Sequence, residues 1–177
     1  GQNDPGPLYM LIKLACSRND ARTVVDAVAA VRTARARAGE VSAMPPRLCA
    51  QFLAMCVACD APDVLADALT RSLELGLLLS HNRVHAALKH WGSQLELHKV
   101  EQVVSAMDAG GLPPNTKTAY IMIRAAVNSG RQATAEAYAE RLRARGVRLH
   151  ATTLNLLEAG RRRQHEADSA SADTDTS

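Results

Sequence analysis

The sequence predicts an all-α fold: an α-solenoid of about four helix-turn-helix units, closed by a C-terminal capping helix. Three observations predict it. Gly76, Gly111 and Gly146 recur 35 residues apart, each closing a helix-like segment. The apolar residues between them hold the same register from unit to unit, at spacings of three and four. No stretch alternates apolar and polar residues over a useful strand length. A fixed period of this size marks a repeat array, and spacings of three and four mark amphipathic helices.

In register, the chain divides into units at 46–80, 81–115 and 116–150. A looser unit at 5–45 precedes them, its extra length lying in the Ala/Arg/Gly-rich stretch 34–44. The eighth position of the four units is Ile12, Leu53, Leu88 and Ile123. The twentieth is Val24, Leu65, Val100 and Ala135, and the twenty-fourth is Val28, Leu69, Val104 and Ala139. Val31, Met107 and Leu142 follow near the unit ends, where Ser72 breaks the pattern. Each unit therefore reads as two short helices joined by a turn. Asn19-Asp20, Cys59-Asp60-Ala61-Pro62 and Asn128-Ser129-Gly130 mark three of those turns. The unit-ending glycines suit the left-handed position just past a helix end. Pro113-Pro114 cannot continue a helix, and Asn115 then suits the cap of the next. One hairpin cannot bury its apolar face alone, so stacked neighbours bury it for each other. Beyond the last unit, 151–160 reads as the capping helix, with Leu154 and Leu157 to dock it and Asn155 at its fifth position. The stretch 161–177 reads as a disordered Ser/Ala/Asp/Thr tail.

At the level of motifs the chain resembles the pentatricopeptide repeat family. The unit at 116–150 carries the resemblance best. Its Asn-Ser-Gly at 128–130 is similar to the family's mid-repeat turn, and its Arg-Ala-Arg-Gly-Val at 143–147 to the repeat end. Gly-Leu-Pro-Pro-Asn at 111–115 is close to the family's Gly-x-x-Pro-Asn/Asp loop. The 34-residue tetratricopeptide repeat wants a small residue at position eight, where this chain has Ile12, Leu53, Leu88 and Ile123. The resemblance implies a right-handed solenoid whose first helices line a groove for single-stranded RNA, read one base per repeat. It also implies a mitochondrial or chloroplast setting, with RNA processing, stability or translation as the task.

In the family the fifth and last residues of a repeat read the base, and an apolar second residue packs against it. The corresponding pairs here are Ala50/Ser80, His85/Asn115 and Tyr120/His150, with Tyr9 at the fifth position of the loose unit. The second positions are Arg47, Asn82 and Lys117. Ala50 has no polar group for a base edge. His85 and Tyr120 are too long for the family's usual edge contact but can stack on a base. Arg47, Lys117 and Arg124 suit phosphate, a contact that carries no sequence information. Few units with such readers imply little sequence specificity.

Composition bounds the rest. The formal charge is +3 over 177 residues, but 164–177 holds four acids and no Lys or Arg, which leaves +7 on 1–163. Basic runs at 32–37, 141–148 and 161–163 are expected on outward faces. They favour a second reading, a structural subunit of an organellar ribosome or similar assembly contacting rRNA and protein. A third reading is a protein-binding solenoid without RNA. The chain has no apolar run long enough to span a membrane and no visible signal peptide. Neither DNA nor a membrane is an expected partner. Cys56 and Cys59 have the spacing of a redox or metal pair, without the second Cys/His pair a zinc site needs. Cys16, Cys49, Cys56 and Cys59 read as packing thiols. His81 and His85 lie one helical turn apart with no third ligand in view. No nucleophile, phosphate loop or paired-carboxylate motif is present. The sequence thus predicts neither an enzyme nor a cofactor or metal.

Overall fold

The computed structural model describes residues 6–174. Ten α-helices and no strand occur among the described residues. They are α1 (Gly6–Leu14), α2 (Arg18–Arg37), α3 (Pro46–Ala58), α4 (Pro62–Thr70), α5 (Ser72–Leu75), α6 (His81–Ser93), α7 (Leu97–Ala109), α8 (Thr116–Asn128), α9 (Gln132–Ala144) and α10 (Ala151–Thr174). The helices α3, α6, α8 and α10 begin at 46, 81, 116 and 151, so the 35-residue beat of the sequence is the beat of the helix starts. The helices α4, α7 and α9 keep the same interval, beginning at 62, 97 and 132.

Local chemistry explains the boundaries. Ser17 caps α2 in a capping box: its Oγ accepts from the Asp20 N–H at 3.2 Å, and Asp20 Oδ2 accepts from the Ser17 N–H at 3.0 Å. Pro46 and Pro62 occupy first helical positions, where a missing N–H costs nothing. Gly76, Gly111 and Gly146 all have positive φ, as predicted from their place past a helix end. After each, the next N–H reaches back to a helix carbonyl: Leu77 to Ser72, Leu112 to Met107 and Val147 to Leu142. The mid-unit turns repeat the device at Asp60, Leu95 and Gly130, again 35 residues apart and all at positive φ.

The contacts group the chain into two compact units. One comprises Gly1–His90 with Glu101–Pro113, the other Trp91–Val100 with Pro114–Ser177. In the first, α1 packs on α2 and α3, and α2 packs on α3, α4 and α5. Its core includes Ile12, Val28, Leu48, Phe52, Leu65 and Leu69, all buried. The Arg32 guanidinium donates to the carbonyls of Ser42 (2.7 Å) and Val41 (2.9 Å), and Arg35 bonds Glu40 and Ser42. The run at 32–37, expected to face outward for docking, thus spends two of its arginines holding the loop after α2. In the second unit, α8, α9 and α10 pack on one another around Met122, Ile123, Ala126, Ala135, Tyr138 and Leu157, all buried.

Three helices differ from the sequence expectation. The helix α2 begins at Arg18 with Ser17 as its cap, so Asn19 and Asp20, expected at a mid-unit turn, lie in its first turn. The second helix of the 46–80 unit is broken at Arg71 into α4 and α5, beside the polar Ser72 that interrupts the apolar register. The helix α10 runs to Thr174, through most of the stretch its composition assigned to a disordered tail. That stretch has no proline, and the Ala, Arg, Gln and Glu along it favour helix. Residues 175–177 lie outside the described residues.

Candidate nucleic-acid interface

The site predicted on the 116–150 unit is built by the starts of two helices. Pro113 and Pro114 stop the chain from continuing α7, and Asn115 turns it into α8. Asn115 Oδ1 accepts from the N–H groups of Lys117 and Thr118, both at 3.0 Å, and Thr118 Oγ1 accepts from the Asn115 N–H at 3.2 Å. One turn on, this cap sets Lys117 and Tyr120 on the same side of the helix start. At the far end of the unit, Gly146 turns the chain so that His150 precedes α10. The His150 carbonyl accepts the N–H groups of Thr153 and Leu154 in the first turn of α10.

Because α8 packs on α10, these segments enclose an open cavity of about 330 Å³. It is lined by Thr116, Lys117, Tyr120, His150, Thr152 and Thr153. Tyr120 and His150, the predicted fifth/last pair, therefore come together with Lys117, the predicted second-position residue. Tyr120 is half-buried. The Arg124 guanidinium carbon lies 6.0 Å from the Tyr120 ring centroid, at the outer edge of cation–π range. No carboxylate lines the cavity.

The first unit repeats part of this arrangement. Tyr9 on α1 and Arg47 on α3 were predicted as a fifth-position residue and the next second-position residue. The Arg47 guanidinium carbon lies 6.0 Å from the Tyr9 ring centroid, with Arg47 exposed. Ala50, Ser80 and Asn82 are exposed. Nearby, Arg83 Nη1 donates to the Pro46 carbonyl at 2.6 Å and ties α6 to the start of α3.

Two predicted readers sit differently from the expectation. His85 is 1% exposed, with its ring 5.9 Å from that of His81, so no ring face is open for a base to stack on. Position five of this helix faces inward because Val84, Ala87 and Leu88 beside it are core residues. Asn115 is exposed, but its carbonyl oxygen is committed to two backbone N–H groups as a cap. Sequence reasoning missed Thr116, Thr152 and Thr153 as cavity residues. The signal for them was present: α8 and α10 start one period apart and both carry Thr in the first turn, beside the fifth/last site.

Elsewhere the chemistry is quiet. All four cysteines are free thiols; Cys49, Cys56 and Cys59 are buried as packing residues, but Cys16, expected among them, is exposed in the turn before α2. Burial pushes the Cys49, Cys56 and Cys59 thiols up, and the Asp20 carboxylate hydrogen-bonded to Cys16 raises that thiol too. Thiols held protonated are poor nucleophiles and poor ligands. Among the described residues no three His, Cys, Asp or Glu side chains cluster as a metal site, and no helix is long and apolar enough to cross a membrane. No protein-family model matches the chain, and no curated protein matches it in sequence.

Proposed function

We propose that this chain is a pentatricopeptide-like, helical-repeat RNA-binding protein acting on single-stranded RNA in a mitochondrion or chloroplast. Its stacked first helices would form the binding groove, and maturation, stability or translation of the RNA would be its task. One observation carries the reading. The second and fifth positions of the 116–150 unit and its last, thirty residues further on, line one open cavity with an aromatic ring, a lysine and no acid. A ring beside a cation is the pairing that single-stranded nucleic acid uses, the ring for a base and the cation for the backbone. The Tyr9/Arg47 pair repeats it.

The buried His85 and the capping Asn115 argue against a base-by-base code, so the expected binding has weak sequence preference. A second reading, a structural subunit of an RNA-rich assembly, is favoured by the exposed Arg141, Arg143, Arg145 and Arg148 near the end of α9. The two separate on one comparison: affinity for short unstructured RNA of wild type and Tyr120→Ala. A loss of about tenfold, from ~1–3 kcal/mol of stacking per base, supports the groove reading. Equal affinities for both proteins would move RNA contact to the arginine face.

A further inference from the structure

The cavity between α8 and α10 has features that base stacking on Tyr120 leaves unused. Three threonines line it, in the first turns of α8 and α10: Thr116, Thr152 and Thr153. Thr153 is 1% exposed, and its hydroxyl has no hydrogen-bond partner. A buried hydroxyl without a partner carries a desolvation cost that a ligand atom can relieve. The helices whose starts meet here are 13 and 24 residues long. The first N–H groups of a helix have no intrahelical acceptor, and its N-terminal end carries partial positive charge. Asn115 takes two of the α8 donors. The start of α10 leaves the N–H groups of Ala151 and Thr152 ahead of its first backbone bonds. Lys117 adds a full positive charge, His150 a ring nitrogen, and no Asp or Glu lines the space to oppose an anion.

From this convergence we infer that the cavity is a phosphoryl-binding site. It takes a phosphate group of RNA against Lys117, the threonine hydroxyls and the start of α10, with the attached nucleoside on Tyr120. The inference rests on the RNA-binding reading and deepens it: contact here is made through phosphate oxygens, not base edges. A volume of about 330 Å³ suits one nucleotide at a time. The phosphate can be an internal one, a terminal one or a free anion, and all three share the chemistry.

The test uses the full chain. Isothermal titration with inorganic phosphate, and with a nucleoside 5′-monophosphate against its nucleoside, is run at constant ionic strength set with chloride. In parallel, a short RNA is offered with a 5′-phosphate, a 3′-phosphate or neither, and phosphate is added as competitor. The inference predicts that the monophosphate binds about tenfold or more tightly than the nucleoside, as expected for hydrogen bonds to a charged group. It also predicts that phosphate displaces RNA beyond the effect of equal chloride. Thr153→Val, which keeps the shape and removes the hydroxyl, and Lys117→Gln should each reduce that preference at unchanged helicity and melting temperature. A gain confined to one phosphorylated end identifies a terminal phosphate, and displacement without such a gain identifies an internal one. Equal binding of monophosphate and nucleoside would overturn the inference while leaving RNA binding standing. So would a preference that survives both substitutions. Titration with phosphate alone decides the site even if no RNA binds, so the two failures are distinct.

Discussion

Leu95 adopts φ 61°, the left-handed conformation that its counterparts Asp60 (φ 48°) and Gly130 (φ 72°) share at the same turn of the repeat. The three regular units share this geometry at their mid-unit turns, and a leucine meets it with strain of ~1–2 kcal/mol. Glycine removes the strain but loses more chain entropy on folding. Leu95→Gly relieves the strain but gives up the covered half of the leucine side chain. It is therefore expected to change stability in urea denaturation by less than about 1 kcal/mol. Leu95→Ala, which keeps the strain and loses the contact, is expected to destabilise. Asp63 makes a second residue-scale case. Burial alone raises its carboxyl pKa, but hydrogen bonds from Arg18 and Arg22 outweigh burial and hold it below the usual carboxylate value. Arg18 Nε lies 2.7 Å from Asp63 Oδ1, and Arg22 Nη2 lies 2.8 Å from Oδ2. A folded-state value below the unfolded one means the stabilisation is complete above the unfolded carboxylate pKa, about 4. It is lost as pH falls through the folded value. Stability of the wild type measured from pH 6 down to 2 should therefore fall more steeply than that of Asp63→Asn in that acid range. Parallel curves would mean the pair contributes nothing.

Among the elements, the close approach of α7 to α4 depends on Gly110. A Cβ there would collide with the backbone carbonyl of Leu69, which has no flexible end to yield. Gly110→Ala is expected to cost ~1–3 kcal/mol, the usual range for overpacking, and chemical denaturation measures it. Gly160 in α10 is a softer case. A Cβ there would meet the end of Gln132, a flexible side chain whose amide donates to the Leu157 carbonyl at 3.1 Å and to Glu136 at 3.0 Å. Most helix starts were legible in the sequence because prolines, caps and left-handed glycines are local signals. The start of α2 was not, because Asn19-Asp20 reads as a turn but sits in the first turn of the helix that Ser17 caps. The break in α4–α5 was legible only as Ser72 out of register. The length of α10 was not, because composition read as disorder and helix propensity read as helix point opposite ways in an Ala- and Ser-rich segment. The site was half legible. Repeat register placed Tyr120, His150 and Lys117 together, whereas the burial of His85 and the threonine-lined wall depend on packing that no single unit encodes.

Across the whole molecule the charge decides how RNA would be held. Residues 1–163 carry +7, but Arg32 and Arg35 are committed to the loop after α2, and Arg161 pairs with Glu136 at 2.5 Å. The cations placed beside the two candidate rings are Arg47, Lys117 and Arg124. If Lys117 and Arg124, the pair beside Tyr120, neutralise phosphates of a single strand, log affinity against log salt should have a slope of roughly −1.4. A much steeper slope would indicate the arginine face near the end of α9 instead. The most direct test of the RNA-binding account is selection from a randomised pool of single-stranded RNA at two salt concentrations, followed by sequencing. The account predicts retention at low salt with weak or no enriched motif, reduced at high salt and reduced again by Tyr120→Ala with Lys117→Gln. No retention at either salt would contradict it and leave a helical repeat protein whose partner is another protein.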